Sequence, residues 1–309
     1  MLPKFQCFVR PACVADKGPF VSGGKTHTVT LLIEANMQSK MNILGINMDC
    51  LSYGDMHRVF NVWLSDKQSR SHSLALINVN CCVSALFDKS LVNLYNSADI
   101  VGIDGMPFLK WARTFYNKKA DRFYAPDLML EAAKKAKEYG YTFFLYGGSP
   151  GAPEKMEEYI QEKAGGGVQI VGKYSPPFRA LTEEEDQAVC DMINAAKPDI
   201  VWVGLGSPKQ DVWISEHREK IRGSILIASG ATFDFFSGRI QQAPEWIRNA
   251  GFEWLYRLSK DFRRLWVRYT VYNFVFVTMF FLQLTRLRRF DTEGYGGGSN
   301  LTTDIALER

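Results

Sequence analysis

The sequence predicts an α/β fold: a mainly parallel, Rossmann-like sheet flanked by helices, followed by a helical C-terminal appendage. Three observations carry that expectation. Apolar runs of strand length recur at 43–48, 74–79, 100–103, 142–146, 168–171, 200–205 and 225–228. Helical periodicity fills the intervals, at roughly 52–64, 82–97, 126–139, 153–163, 182–196 and 208–221. After Trp246 the alternation stops and a basic, aromatic-rich helical stretch takes over. Strands separated by helices pair in parallel and are covered on both faces. Ligands of such sheets bind at the carboxyl ends of the strands.

The elements follow in chain order. Residues 1–40 show no sustained period and mix Gly, Ser, Lys and Thr, as in "KGPFVSGGKTHT", so they read as a loosely ordered extension. The apolar patch at 29–33 is too short for a signal-peptide core. Residues 41–245 carry the alternation and form the expected catalytic body. Within it, Thr182 with Glu185 makes a capping box, and Pro153 and Pro208 stand where first-turn prolines belong. Residues 246–289 form the appendage, and 290–309, with "GYGGGSN", reads as a flexible tail.

Composition narrows the class. With 309 residues, 46% apolar and 23% charged, the chain is no disordered, collagenous or many-span membrane protein. A net charge of +4 suggests no nucleic-acid partner, but the charge is uneven. Nine basic residues between 246 and 289 face only Glu253 and Asp261, a local charge of +7. Six cysteines without a CxxC pair read as free thiols, and four histidines without HxxxH spacing give no expectation of a metal site.

Four strand-end loops could carry chemistry. In "IDGMP", Asp104 at a strand's carboxyl end is either a general base or a turn aspartate capping the next helix. "YGGSPG" can offer backbone amides to phosphate. Its formal G-x-S-x-G spacing is no nucleophile elbow, because Pro150 follows Ser149 and has no N–H for an oxyanion hole. "GLGSPKQDVW" puts Lys209 and Gln210 in a first helical turn, which suits a sugar nucleotide. In "SGATFDFFSG", Asp234 either bonds a sugar hydroxyl or orders its own loop. No D-x-D pair is present to hold a metal–diphosphate, so phosphate charge would fall to arginines. Arg257, Arg264 and Arg268, spaced by seven and four, would share one face of a continuous helix, either as phosphate ligands or as a solvated or lipid-facing stripe.

The apolar stretch 269–284 would rise about 24 Å as a helix, against about 30 Å for a bilayer core. Arginines flank it, so contact with an anionic lipid surface is favoured over a full span. A packed terminal helix, an oligomer contact and a short tilted span are the alternatives.

Taken in order, "NSADIVGIDGMPFLKWAR", "FFLYGGSPG", "PDIVWVGLGSPKQDVWI", "GATFDFFSG" and "QQAPEWIRNAGFEWLYRLSKDFRRLWVRY" resemble the WecG/TagA/CpsF family of bacterial glycosyltransferases over roughly 42–289. The resemblance implies an inverting, metal-independent transferase without a cofactor. It would move N-acetylmannosamine, its uronic acid or glucose from a UDP donor to a polyprenyl-diphosphate-linked sugar at the cytoplasmic face of the inner membrane. By position it implies Asp104 as general base, Asn78, Arg122, Gln210 and Asp234 as pocket residues, and Arg257, Arg264 and Arg268 as arginines that meet the diphosphate. One departure stands out: Leu76 occupies a position where the family commonly has threonine, which removes a hydroxyl from the pocket. That departure motivates the rival reading, a non-catalytic, membrane-associated scaffold of polysaccharide assembly. Donor sugar, acceptor and oligomeric state stay open.

Overall fold

The computed structural model describes residues 40–67 and 70–290. Apart from Lys40 and Phe290, the expected N-terminal extension and C-terminal tail lie outside the described residues, as does the side chain of Arg264. Eight strands, β1 (Lys40–Ile43), β2 (Ile46–Asp49), β3 (His72–Ile77), β4 (Ile100–Ile103), β5 (Thr142–Gly147), β6 (Gln169–Tyr174), β7 (Ile200–Gly204) and β8 (Ile225–Ala228), form one sheet. Its order is β1-β2-β4-β3-β8-β7-β5-β6, parallel throughout except for β1.

The apolar run at 43–48 is a hairpin corner rather than one strand. Leu44 and Gly45 both take positive φ (52° and 93°), and Ile43 pairs with Ile46 across them. A two-residue hairpin turn of the primed kind needs that backbone at both central positions. An apolar side chain sits on the turn because Leu44 is buried, so hydropathy alone read straight through it.

Among the described residues, nine helices follow or separate the strands: α1 (Tyr53–Leu64), α2 (Val79–Phe87), α3 (Lys89–Asn96), α4 (Met106–Phe115), α5 (Ala125–Tyr139), α6 (Ala152–Ala164), α7 (Glu183–Ala196), α8 (Lys209–His217) and α9 (Gly230–Phe236). The single helix expected at 82–97 is two, because Asp88 leaves helical geometry and caps α3 through the amide of Ser90. The Thr182–Glu185 capping box is present at the start of α7. Short α4 and α9 were not marked by periodicity.

Successive strand residues serve opposite faces, as the pleat requires. Leu74, Leu76, Phe143, Leu145, Ile200 and Trp202 pack beneath α1, α5, α6 and α9. Their neighbours Ala75, Ile77, Val101 and Ile103 pack on the other face with residues of α2, α3 and α4. Further along that face, Phe144, Tyr146, Val201 and Val203 meet α7 and α8.

The C-terminal segment folds as α10 (Glu245–Ala250), α11 (Glu253–Lys260), α12 (Phe262–Trp266), a π-helical turn at Val267–Val271 and α13 (Tyr272–Leu284). The continuous helix assumed for the three arginines is therefore corrected. Asp261 (φ −144°, ψ 64°) breaks it, leaving Arg257 on α11 and Arg264 and Arg268 beyond the break. The apolar character all round α13 also resolves into two faces. Tyr272, Val275, Phe276, Met279 and Phe280 pack into the core cluster under α4, with Phe276 against Phe108. Gln283 fastens the far end, accepting from the Leu44 amide at 2.9 Å and donating to the Asn42 carbonyl at 3.1 Å. Val267, Val271, Phe274, Phe281 and Leu284, spaced by three, four and seven, line the opposite face and are exposed.

Candidate active site

The strands whose ends meet here, β4, β3, β8 and β7, are neighbours in the middle of the sheet. β3 ends at Ile77, and Asn78 takes extended geometry as the N-cap of α2. Its Oδ1 accepts from the amides of Asn80 (3.0 Å) and Cys81 (3.3 Å). With the oxygen committed to the cap, Nδ2 is turned outward and donates to Asp104 Oδ2 at 3.0 Å.

Asp104 follows β4, and its amide and that of Gly105 donate to the Ile77 carbonyl, which keys the loop to β3. The chain then returns through α4, and Phe123 bonds the Ile103 carbonyl, so Arg122 is laid beside the same strand end. Arg122 Nε donates to the Asp104 carbonyl at 2.5 Å, and Nη2 lies 3.4 Å from Asp104 Oδ1. The Tyr124 ring stacks under the guanidinium at 4.4 Å, and the Tyr53 hydroxyl donates to the Arg122 carbonyl.

Only 16% of the Asp104 side chain is exposed. Burial raises its pKa above the ordinary carboxylate value, with Arg122 and the Asn78 hydrogen bond opposing. A carboxylate with raised proton affinity, fixed by one amide and one guanidinium at a strand end, can accept a proton from a hydroxyl. Of the two sequence readings, helix cap or base, the cap is excluded: α4 starts from Gly105 without a side-chain cap.

The remaining sequence candidates occupy neighbouring loops. Gln210 is buried, and its Oε1 accepts from the amides of Gly206 (3.1 Å) and Gly230 (2.9 Å), which clamps the β7 loop to the β8 loop. Glycine is required there: a Cβ on Gly230 would meet Gln210 Oε1 at 2.6 Å, and one on Gly204 would meet the Phe233 ring at 2.3 Å. Asp234 lies in α9, and its Oδ1 accepts from Arg239 at 3.3 Å. Arg257 crosses over the Phe235 ring at 5.6 Å, next along the chain from Asp234. Arg268 is exposed, but its charge, like those of Arg257, Glu253 and Asp104, acts on the buried Tyr269 hydroxyl. Leu76 is buried in the core with Phe123 and Tyr124, and the Asn78–Asp104–Arg122 contacts form with it in place.

Two residues were missed by sequence reasoning. Glu253, at the start of α11, lies 3.4 Å from Arg122 Nη2 and accepts from the Tyr124 hydroxyl at 2.7 Å. An acid amid nine basic residues was its signal. Asp211, in the first turn of α8, is buried and accepts from Ser207 Oγ at 2.9 Å, and burial pushes its pKa up to about 6.

The sequence suggested no metal site, and the fold brings Asp186, Cys190 and His217 within ligand distance of one another. Protein groups already face the histidine and the carboxylate. His217 Nδ1 lies 2.7 Å from the Trp213 carbonyl, Nε2 lies 2.8 Å from Asp186, and Lys220 pairs with Asp186 at 3.3 Å. His217 is thus engaged on both nitrogens and serves no serine in the "YGGSPG" loop. Residues 41–290 match the model of the glycosyl transferase WecG/TagA/CpsF family.

Proposed function

We infer the function from the family to which the chain belongs, the WecG/TagA/CpsF glycosyltransferases of cell-surface polysaccharide synthesis. The finer reading is an inverting transfer of a hexose-type sugar from a UDP donor to a polyprenyl-diphosphate-linked sugar. Asp104 takes the proton of the acceptor hydroxyl as that oxygen forms its bond to the sugar C1. The C1–oxygen bond to the diphosphate breaks, and its electron pair leaves with UDP. Arg257, Arg264, Arg268 and loop amides would meet the charge that develops on the leaving group. Asn78 and Arg122 hold the base, and Gln210 holds the donor-side loops together.

The observation that carries this reading is Asp104 itself: a largely buried carboxylate with raised proton affinity, gripped by Asn78 and Arg122. Replacing Asp104 with Asn should lower transfer by about 10²- to 10⁴-fold in a panel of UDP-sugars offered with a lipid-diphosphate acceptor and read by mass spectrometry. Wild-type turnover by a folded Asp104→Asn protein would remove the base assignment. The Asn78–Asp104–Arg122 contacts form with Leu76 in place, which supports the transferase reading over the scaffold alternative, and donor-dependent product formation separates the two.

A peripheral position on the inner leaflet is part of the same reading. The helical run Val267–Leu284 has the length and composition of a span, with 11% of it buried. A span would have to leave the body, whereas Phe276 and Gln283 tie α13 along it. Its exposed apolar face, bordered by Arg286, Arg288 and Arg289, suits the surface of an anionic membrane.

A further inference from the structure

Arg122 is shared. Its Nη2 stands 3.4 Å from Asp104 Oδ1 and 3.4 Å from Glu253 Oε2, one carboxylate from the β4 loop and one from α11. All three side chains are largely withdrawn from solvent, with 16%, 16% and 12% exposed for Arg122, Asp104 and Glu253. Screening between them is correspondingly weak. Glu253 is itself held, because its second oxygen accepts from the Tyr124 hydroxyl at 2.7 Å, and Gln242 donates to that hydroxyl at 3.2 Å. Nearby, Arg248 of α10 pairs with Asp127 of α5 at 2.6 Å, so two acid–base contacts seat the C-terminal segment at this end of the body.

We propose that Glu253 is a positioning residue: seated with its segment, it divides the Arg122 guanidinium and so leaves Asp104 free to accept a proton. The proposal rests on Asp104 being the base. An Arg122 committed wholly to Asp104 would stabilise the carboxylate and weaken it as a base, whereas sharing with Glu253 offsets that pull. Asp127 and Glu253 both add to the rise in Asp104's proton affinity, while Arg122 and Asn78 oppose it. Cys81 on α2 and Tyr269 beyond α12 also sense the Asp104 charge, and both are buried and raised in pKa themselves. The consequence is a coupling: base strength depends on whether the C-terminal segment is seated.

The test compares Glu253→Gln with Tyr124→Phe in the full chain. Glu253→Gln keeps an acceptor for the Tyr124 hydroxyl and removes the charge; Tyr124→Phe removes the hydrogen bond and keeps the charge. Asp104 is titrated directly by carbon-13 NMR, its carboxyl signal assigned by its loss in Asp104→Asn, and the pH profile of transfer is recorded alongside. Glu253→Gln should lower the Asp104 pKa by about one unit, and the acid limb of the rate profile should move with it. Tyr124→Phe should leave the titration in place. An Asp104 titration unmoved by Glu253→Gln, or moved equally by both variants, overturns the proposal. Full turnover by Asp104→Asn would instead remove the base reading, and the NMR titration would still decide whether Glu253 governs that carboxyl.

Discussion

Asp211 shows how one side chain's surroundings reverse its meaning. In a helical first turn an aspartate usually complements the helix dipole from the solvent side. Here α8 packs its first turn inward, and the carboxyl accepts from the Ser207 hydroxyl at 2.9 Å. Its pKa of about 6 in the fold lies above the ordinary value, so the folded state binds the proton more tightly than the unfolded chain. Burial therefore costs nothing below about pH 4, and the cost grows as pH rises through 6. Asp211→Asn retains an acceptor for Ser207 and should gain roughly 2 kcal/mol at pH 7, with a flatter stability profile between pH 4 and 7. Urea melts across that range check it; a variant as pH-dependent as the parent would mean that Asp211 is not the group responsible. Asp104, another raised carboxyl, was legible as a strand-end acid because its loop position is local information. Glu253 was not, because what it touches lies 131 residues away in the chain.

At the scale of elements, α13 has two apolar faces with different work. Phe276 is 6% exposed and packs on Phe108 and Phe280, so Phe276→Ala should cost about 3–5 kcal/mol in denaturant melts. Phe274 and Phe281, 73% and 59% exposed, make no such seal. Phe274→Ser with Phe281→Ser should leave the melt nearly unchanged but reduce cosedimentation with anionic vesicles, and added salt should weaken what binding remains. Equal vesicle binding by the double variant and the parent would rule out this face as the membrane contact. Sequence periodicity showed apolar residues on every side of this stretch. Which side was already covered depended on the position of Phe108, set by α4, an element that periodicity did not mark. The two-faced hairpin at Leu44 and the helix break at Asp261 were hidden for a related reason, since backbone dihedrals at single residues leave little trace in hydropathy.

On the scale of the whole molecule, the C-terminal segment is built into the body. It covers one end of the sheet with α13, ties the β1–β2 hairpin through Gln283, and sends Glu253 to Arg122. Removing residues 246–309 should therefore lower thermal stability as well as membrane recovery and sugar transfer, through exposure of the Phe108 cluster. A truncated protein that melts like the full chain and keeps its activity on a lipid acceptor would contradict this arrangement. By itself the sequence determined the α/β class, most strands and long helices, the basic bias of the last helices and the loop holding Asp104, because each is written in local period, capping or charge. Tertiary structure alone decided the contacts that Asn78 and Arg122 make with Asp104, the arrival of Glu253 beside them, that Gln210 clamps two loops, and which face of α13 is left bare. Those facts depend on sheet order, which brings together residues 18 to 239 positions apart, and no local pattern records which distant side chain will stand opposite.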